Sequence, residues 1–255
     1  MNRDIRREYL AAMGLEAWVL RSASRSGATA LHEAVPPAPA DGSDVSLPGT
    51  PEASTAGAPV QHEALREEGL DWEGLRARVA ACTRCALSAT RTQTVFGVGN
   101  TRAEWLIVGE APGAEEDRRG EPFVGRAGQL LNSMLRAIGL AREQVYIANV
   151  LKCRPPGNRD PTPSEALECL PYLERQIALI RPKIMLAVGR ISAQNLLRTE
   201  APLGRLRQQV HSFGIARVPL VVTYHPAYLL RTPTEKRKAW ADLKFAREVC
   251  ARVQR

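Results

Sequence analysis

Downstream of residue 65 the chain alternates short, continuously apolar runs with longer stretches whose apolar residues recur every three or four positions. Residues 105–108 read as a strand buried on both faces. Residues 128–138, with Leu130, Leu131, Met134, Leu135 and Ile138 on one side, read as an amphipathic helix. Residues 145–151 (VYIANVL) form a second strand, and a helix runs from Pro163 to about Ile180 with Thr162 or Ser164 as its cap. A third strand is predicted over 184–188, then a helix over 192–197. Residues 209–213, a turn at Gly214 and residues 218–224 suggest a hairpin that ends in the last central strand. A final helix spans 234–253, with Trp240, Leu243 and Val249 facing inward. Continuous apolar strands alternating with amphipathic helices indicate an α/β fold, its mostly parallel sheet covered on both faces.

The upstream pattern is different. Residues 1–21 suggest a short amphipathic helix followed by a Trp-containing tail. Residues 22–64 are rich in Ala, Pro, Ser and Gly and bury too little apolar surface to offset the entropy of ordering, so they read as a disordered linker. Residues 65–255 form the globular domain. The formal charge of +8 splits unevenly, into +2 on residues 1–30, −7 on residues 31–72 and +13 on residues 73–255. A domain that basic attracts polyanions, nucleic acid first among them. No run of eighteen apolar residues occurs, and the start lacks the apolar core of a secretory signal, so a cytoplasmic protein with no membrane association is expected.

Candidate chemistry gathers at strand ends. The first strand runs into a glycine-rich turn, GEAPGAEEDRRGEPFVG, where many α/β proteins place a ligand. It is not a phosphate loop: no GKS or GKT follows, and Glu110, Glu115, Glu116 and Asp117 would repel phosphate. Glu110 ends the first strand, Asn149 lies in the second and His225 ends the last, so all three can meet at one sheet edge. Asn149 offers a donor and an acceptor, suited to an amide or pyrimidine edge. His225 can donate to a developing oxyanion, and Phe123 can stack on a flat ligand. Of five cysteines, Cys82 and Cys85 form a CxxC, while Cys153 follows the second strand and Cys169 falls inside the next helix. In a cytoplasmic protein such a set favours metal over disulfides, and four thiolates suit a structural zinc or a [4Fe–4S] cluster alike.

Four separated segments, CTRC (82–85), GEAPGAEEDRRGEPFVGRAGQLLNSML (109–135), VYIANVLKCRPPGNRDPTPSEALEC (145–169) and HPAYLLR (225–231), resemble a bacterial family 4 uracil-DNA glycosylase, the iron–sulfur type. The resemblance covers about residues 75–250. It implies a three-layer α/β/α sandwich with a central four-stranded, mostly parallel sheet, and a monomeric repair enzyme that cuts uracil from single- or double-stranded DNA. It also implies a [4Fe–4S] cluster held by Cys82, Cys85, Cys153 and Cys169. Glu110, Ala111, Pro112, Phe123, Asn149 and His225 would bind uracil, with Glu110 and His225 catalytic. Leu229, Leu230 and Arg231, in the HPAYLLR loop, would wedge into DNA. Better-known relatives carry an aspartate where this chain has Ala111, so the water falls to Glu110 or to the backbone. Residues 3–21 resemble the N-terminal peptide of the psi subunit of the bacterial clamp-loader complex. That likeness implies docking to the chi subunit; folding back onto the domain is the alternative.

Overall fold

The structure, a computed structural model, describes residues 69–253 together with Ala11. The chain divides into two units, Met1–Ala17 with Glu63–Arg255, and Trp18–His62. The expected docking arm (1–21, Ala11 apart) and linker (22–64) lie outside the described residues.

A first helix, α1 (Trp72–Ala80), opens with Asp71 accepting the Gly74 N–H at 2.8 Å. Then follow β1 (Val98–Gly99), β2 (Trp105–Gly109), α2 (Ala114–Arg119), α3 (Arg126–Ala137), β3 (Tyr146–Asn149), α4 (Pro163–Ile180), β4 (Ile184–Val188) and α5 (Arg190–Leu197). The chain closes through α6 (Leu203–Leu206), β5 (His211–Phe213), β6 (Val218–Thr223), α7 (Pro226–Arg231) and α8 (Lys236–Val253). The boundaries of α4 and β4 coincide with the apolar pattern. Thr162 caps α4 through a reciprocal box: its hydroxyl accepts the Glu165 N–H at 3.2 Å, and Glu165 accepts the Thr162 N–H at 2.9 Å.

Among the described residues the sheet has six strands, in the order β1-β3-β2-β4-β6-β5. β3, β2, β4 and β6 run parallel, and β1 and β5 are antiparallel edges. The expected count of four therefore describes the parallel core. β5 is the first arm of the hairpin, and the two-residue β1 has no apolar run to announce it.

Successive strand residues point to opposite faces, which separates two cores. Ile107, Ile147, Leu186 and Val221 pack with α3 and α8, while Leu106, Ala148, Met185 and Val222 pack with α4 and α5. A smaller third cluster joins Leu75 and Val79 of α1 to Phe96, Leu151, Cys153, Cys169 and Tyr172. The sheet's layers leave its carboxyl edge to loops, and that is where the polar residues collect.

Candidate active site

A cleft of about 440 Å³ opens at the carboxyl edge of the parallel strands. Glu110, Ala111 and Pro112 line it from beyond β2, Asn149 from the end of β3, His225 and Arg231 from the start and end of α7, and Phe123 from the loop before α3. Residues that stand up to 121 positions apart in sequence thus share one cavity.

Asn149 is 2% exposed, and its Oδ1 is the one buried side-chain N or O atom among the described residues without a hydrogen-bond partner. A buried acceptor left unpaired costs roughly 1–3 kcal/mol. The structure carries that penalty at the cleft, where a ligand N–H would remove it. The backbone around it is fixed: β3 pairs Asn149 with Gly109, and the Val150 and Leu151 N–H groups donate to the carbonyls of Gly109 and Glu110, both at 3.0 Å.

His225 caps α7. Its Nδ1 accepts the Ala227 N–H at 3.1 Å, so the ring proton of the neutral form sits on Nε2. Burial, aided by Arg231, pushes its pKa down to about 4 against a weaker opposing effect of Glu116, so the ring is neutral at pH 7. The segment read as an HPAYLLR loop is therefore this short helix.

Phe123 has a φ of 56°, an unusual conformation for a bulky side chain. Three features hold it. Arg142 donates to the Pro122 carbonyl at 2.7 Å and to the Phe123 carbonyl at 3.4 Å, Gly128 leaves room for that carbonyl, and Glu116 accepts the Val124 N–H at 3.0 Å. The ring then lies 5.7 Å from the His225 ring, tilted by 32°. Gly109 completes the fit, because a Cβ there would fall 2.8 Å from the Phe123 ring and closer still to Asn149 Oδ1.

The acidic turn divides its labour. Asp117 is buried and accepts the Thr92 N–H at 2.9 Å, and Glu115 pairs with Arg118 on the surface. Glu110 and Glu116 line the cleft. Burial raises the Glu110 pKa to about 7, with Asp160 adding to the rise and Arg190 opposing it. Asn158, Arg159 and Asp160 also line the cleft and went unremarked in the sequence, where they sit in a polar loop with no periodic signal. Arg159 makes a two-pronged pair with Glu165, at 2.6 and 2.9 Å, and Asp160 meets Arg190 at 3.2 Å. Arg142 carried no signal either, since its task is set by a loop about twenty residues away.

The three residues assigned to the DNA wedge separate. Leu229 is 1% exposed and packs in the core beneath α7. Leu230 is 36% exposed, and Arg231 borders the cleft.

Cys82, Cys85, Cys153 and Cys169 line a second, small cavity. Arg91 Nη1 donates to Cys153 Sγ at 3.0 Å, and the Lys152 N–H donates to Cys169 Sγ at 3.2 Å. Burial pushes the Cys169 thiol up to about 12, with Lys152 acting against the rise; it also raises Cys85 and Cys153. Among the described residues no three His, Cys, Asp or Glu side chains are grouped so as to hold one metal ion.

Residues 96–244 match the uracil DNA glycosylase superfamily. The chain is 46% identical over 183 residues to the type-4 uracil-DNA glycosylase of Archaeoglobus fulgidus, an overlap of 69% of this chain and 92% of that one. It is 40% identical over 190 residues to the enzyme of the same name from Sulfurisphaera tokodaii, across 72% and 86% of the two chains. With that of Thermotoga maritima it shares 44% over 156 residues, across 60% and 80%. A match spanning most of the described domain, with this identity over nearly the whole length of the relatives, leads to one assignment: the chain belongs to the uracil DNA glycosylase superfamily, in the type-4 family.

Proposed function

We infer that Asn149, Phe123, Glu110 and His225 carry out this family's reaction, hydrolysis of the N-glycosidic bond of uracil in DNA, which frees the base and leaves an abasic site. The chain is a uracil-DNA glycosylase, a hydrolase of DNA repair. The observation that supports the site reading best is the unpaired, buried Oδ1 of Asn149 inside the cleft.

The basic domain grips phosphates without reading sequence, with Arg159 and Arg231 at the cleft as the nearest cations. The target nucleotide rotates out of the stack, at a cost of a few kcal/mol that is least for a mispaired base. Leu230 and Arg231 fill the space it leaves. Phe123 stacks on the ring, Asn149 Oδ1 accepts uracil N3–H, and the Asn149 amide donates to O4. Cytosine lacks the N3–H and presents an amino group to the Asn149 donor. Its binding leaves buried groups unpaired, a mismatch that discriminates strongly. As the bond to C1′ stretches, negative charge builds on the base and His225 Nε2–H donates to O2. The sugar becomes an oxocarbenium ion, which ionised Glu110 stabilises while orienting the water that attacks C1′.

Cys82, Cys85, Cys153 and Cys169 fit a [4Fe–4S] cluster: four sulfurs from two separate segments of the domain line one cavity, and two N–H groups already donate to them. The bound cluster would act as a structural cross-link between residues 82–85 and the 153–169 segment.

Incubation of the purified protein with oligonucleotides containing uracil, thymine or cytosine at one position tests this reading. Free uracil and an alkali-labile site should appear from the first alone. No release, or equal release from cytosine, would overturn it.

A further inference from the structure

Five residues, Asn149 to Cys153, link the cleft to the cysteine cavity, and in their midst lies a buried lysine. Lys152 is 1% exposed. Its Nζ donates to the Asn149 carbonyl at 2.9 Å and to Gln176 Oε1 at 2.7 Å. Gln176, itself fully buried in α4, donates in turn to the Phe96 carbonyl at 2.9 Å. The lysine backbone is held as tightly, its N–H by Cys169 Sγ and its carbonyl by the Val95 N–H at 2.8 Å.

Burying an ammonium is expensive unless its donors are satisfied, and a leucine or methionine would fill the volume without that penalty. Position supplies the reason for the charge. Asn149 is the last residue of β3, where the parallel ladder ends, and its carbonyl needs a donor that the strand beyond does not provide. Lys152 supplies one from three residues downstream. That bond fixes the peptide plane next to the side chain whose Oδ1 is unpaired in the cleft. The Cys169 and Cys153 sulfurs, when ionised, would give the ammonium a counter-charge.

We propose that Lys152 is a positioning residue for base recognition: its ammonium anchors the Asn149 carbonyl and thereby ties the geometry of the uracil-reading amide to the cysteine cavity. The proposal rests on the assignment of Asn149 as the uracil reader. Lys152 touches no substrate and acts through Asn149.

The test is equilibrium binding of Lys152→Met to two oligonucleotides, one carrying a non-hydrolysable deoxyuridine analogue and one carrying a stable abasic-site analogue. Loss of a hydrogen bond from a charged donor lowers affinity for the uracil oligonucleotide by about tenfold or more, while abasic-site binding stays at the wild-type level. A general structural defect would weaken both. Equal affinities to wild type for both, or an equal loss on both, would overturn the proposal. Should Lys152→Met fail to fold, Gln176→Met removes the ammonium's second acceptor and is read the same way: a selective loss of several-fold supports the proposal. An unselective result refutes it. Wild-type protein that binds the uracil analogue no better than a thymidine control would overturn the uracil reading itself, before any variant is made.

Discussion

Gly109→Ala tests whether close packing shapes the recognition pocket. The added Cβ would stand 2.8 Å from the Phe123 ring and nearer to Asn149 Oδ1, against ordinary carbon–carbon contact of about 3.5–4.0 Å. Both side chains must therefore retreat, each by about 1 Å. Neither retreats freely. Phe123 is locked by its left-handed backbone and by Arg142, and Asn149 is held by the ladder that pairs it with Gly109. Overpacking of this kind costs roughly 1–3 kcal/mol. If the strain falls on the stacking and reading groups, single-turnover uracil excision slows by roughly ten- to a hundredfold, at about 1.4 kcal/mol per tenfold. The melting temperature should fall by several degrees, at about 2–4 °C per kcal/mol for a domain of this size. Gly204→Ala is the matched control: a Cβ there meets nothing within 4 Å, and the excision rate should stay unchanged. A Gly109→Ala enzyme with wild-type rate would show that these three residues do not define the pocket.

Excision should rise with pH through about 7, as Glu110 ionises, while His225 stays neutral above about pH 4; Glu110→Gln should slow excision and flatten that limb in single-turnover profiles. The same raised pKa has an opposite sign for stability. Protonated Glu110 contributes fully below the unfolded value of 4.5, and the contribution is lost as pH rises through about 7, so Glu110→Gln should raise the melting temperature at pH 8 and leave it nearly unchanged at pH 4. Leu229→Ala should destabilise by roughly 2–5 kcal/mol in denaturant titrations. Leu230→Ala should leave stability intact but slow excision from duplexes more than from single strands; equal slowing on both would remove it from the wedge. Cys153→Ser, purified without oxygen, should lose bound iron and visible absorption and melt earlier, and full iron content would dismiss it as a ligand.

Much of the architecture was legible from local pattern. Continuous apolar runs marked β2, β3, β4 and β6, and a 3.6-residue period marked α3, α4 and α8, because each element buries its own face whatever it packs against. The same reading put Glu110, Asn149 and His225 at strand ends, and parallel strands share one carboxyl edge. Short, polar or conformationally unusual pieces left no such trace. β1 is too brief for a period to register, and HPAYLLR is too short to separate helix from loop.

The sequence by itself thus determined the order of elements, the family and the residue types available at the cleft. Tertiary structure decided what each residue does. It buried Leu229, spent Asp117 and much of Glu116 on backbone donors, set the His225 proton on Nε2, and left Asn149 Oδ1 without a partner. The physical reason is range. Periodicity is a property of a few consecutive residues, whereas desolvation, hydrogen-bond pairing and steric fit depend on groups that the chain brings together from Thr92 to Arg231.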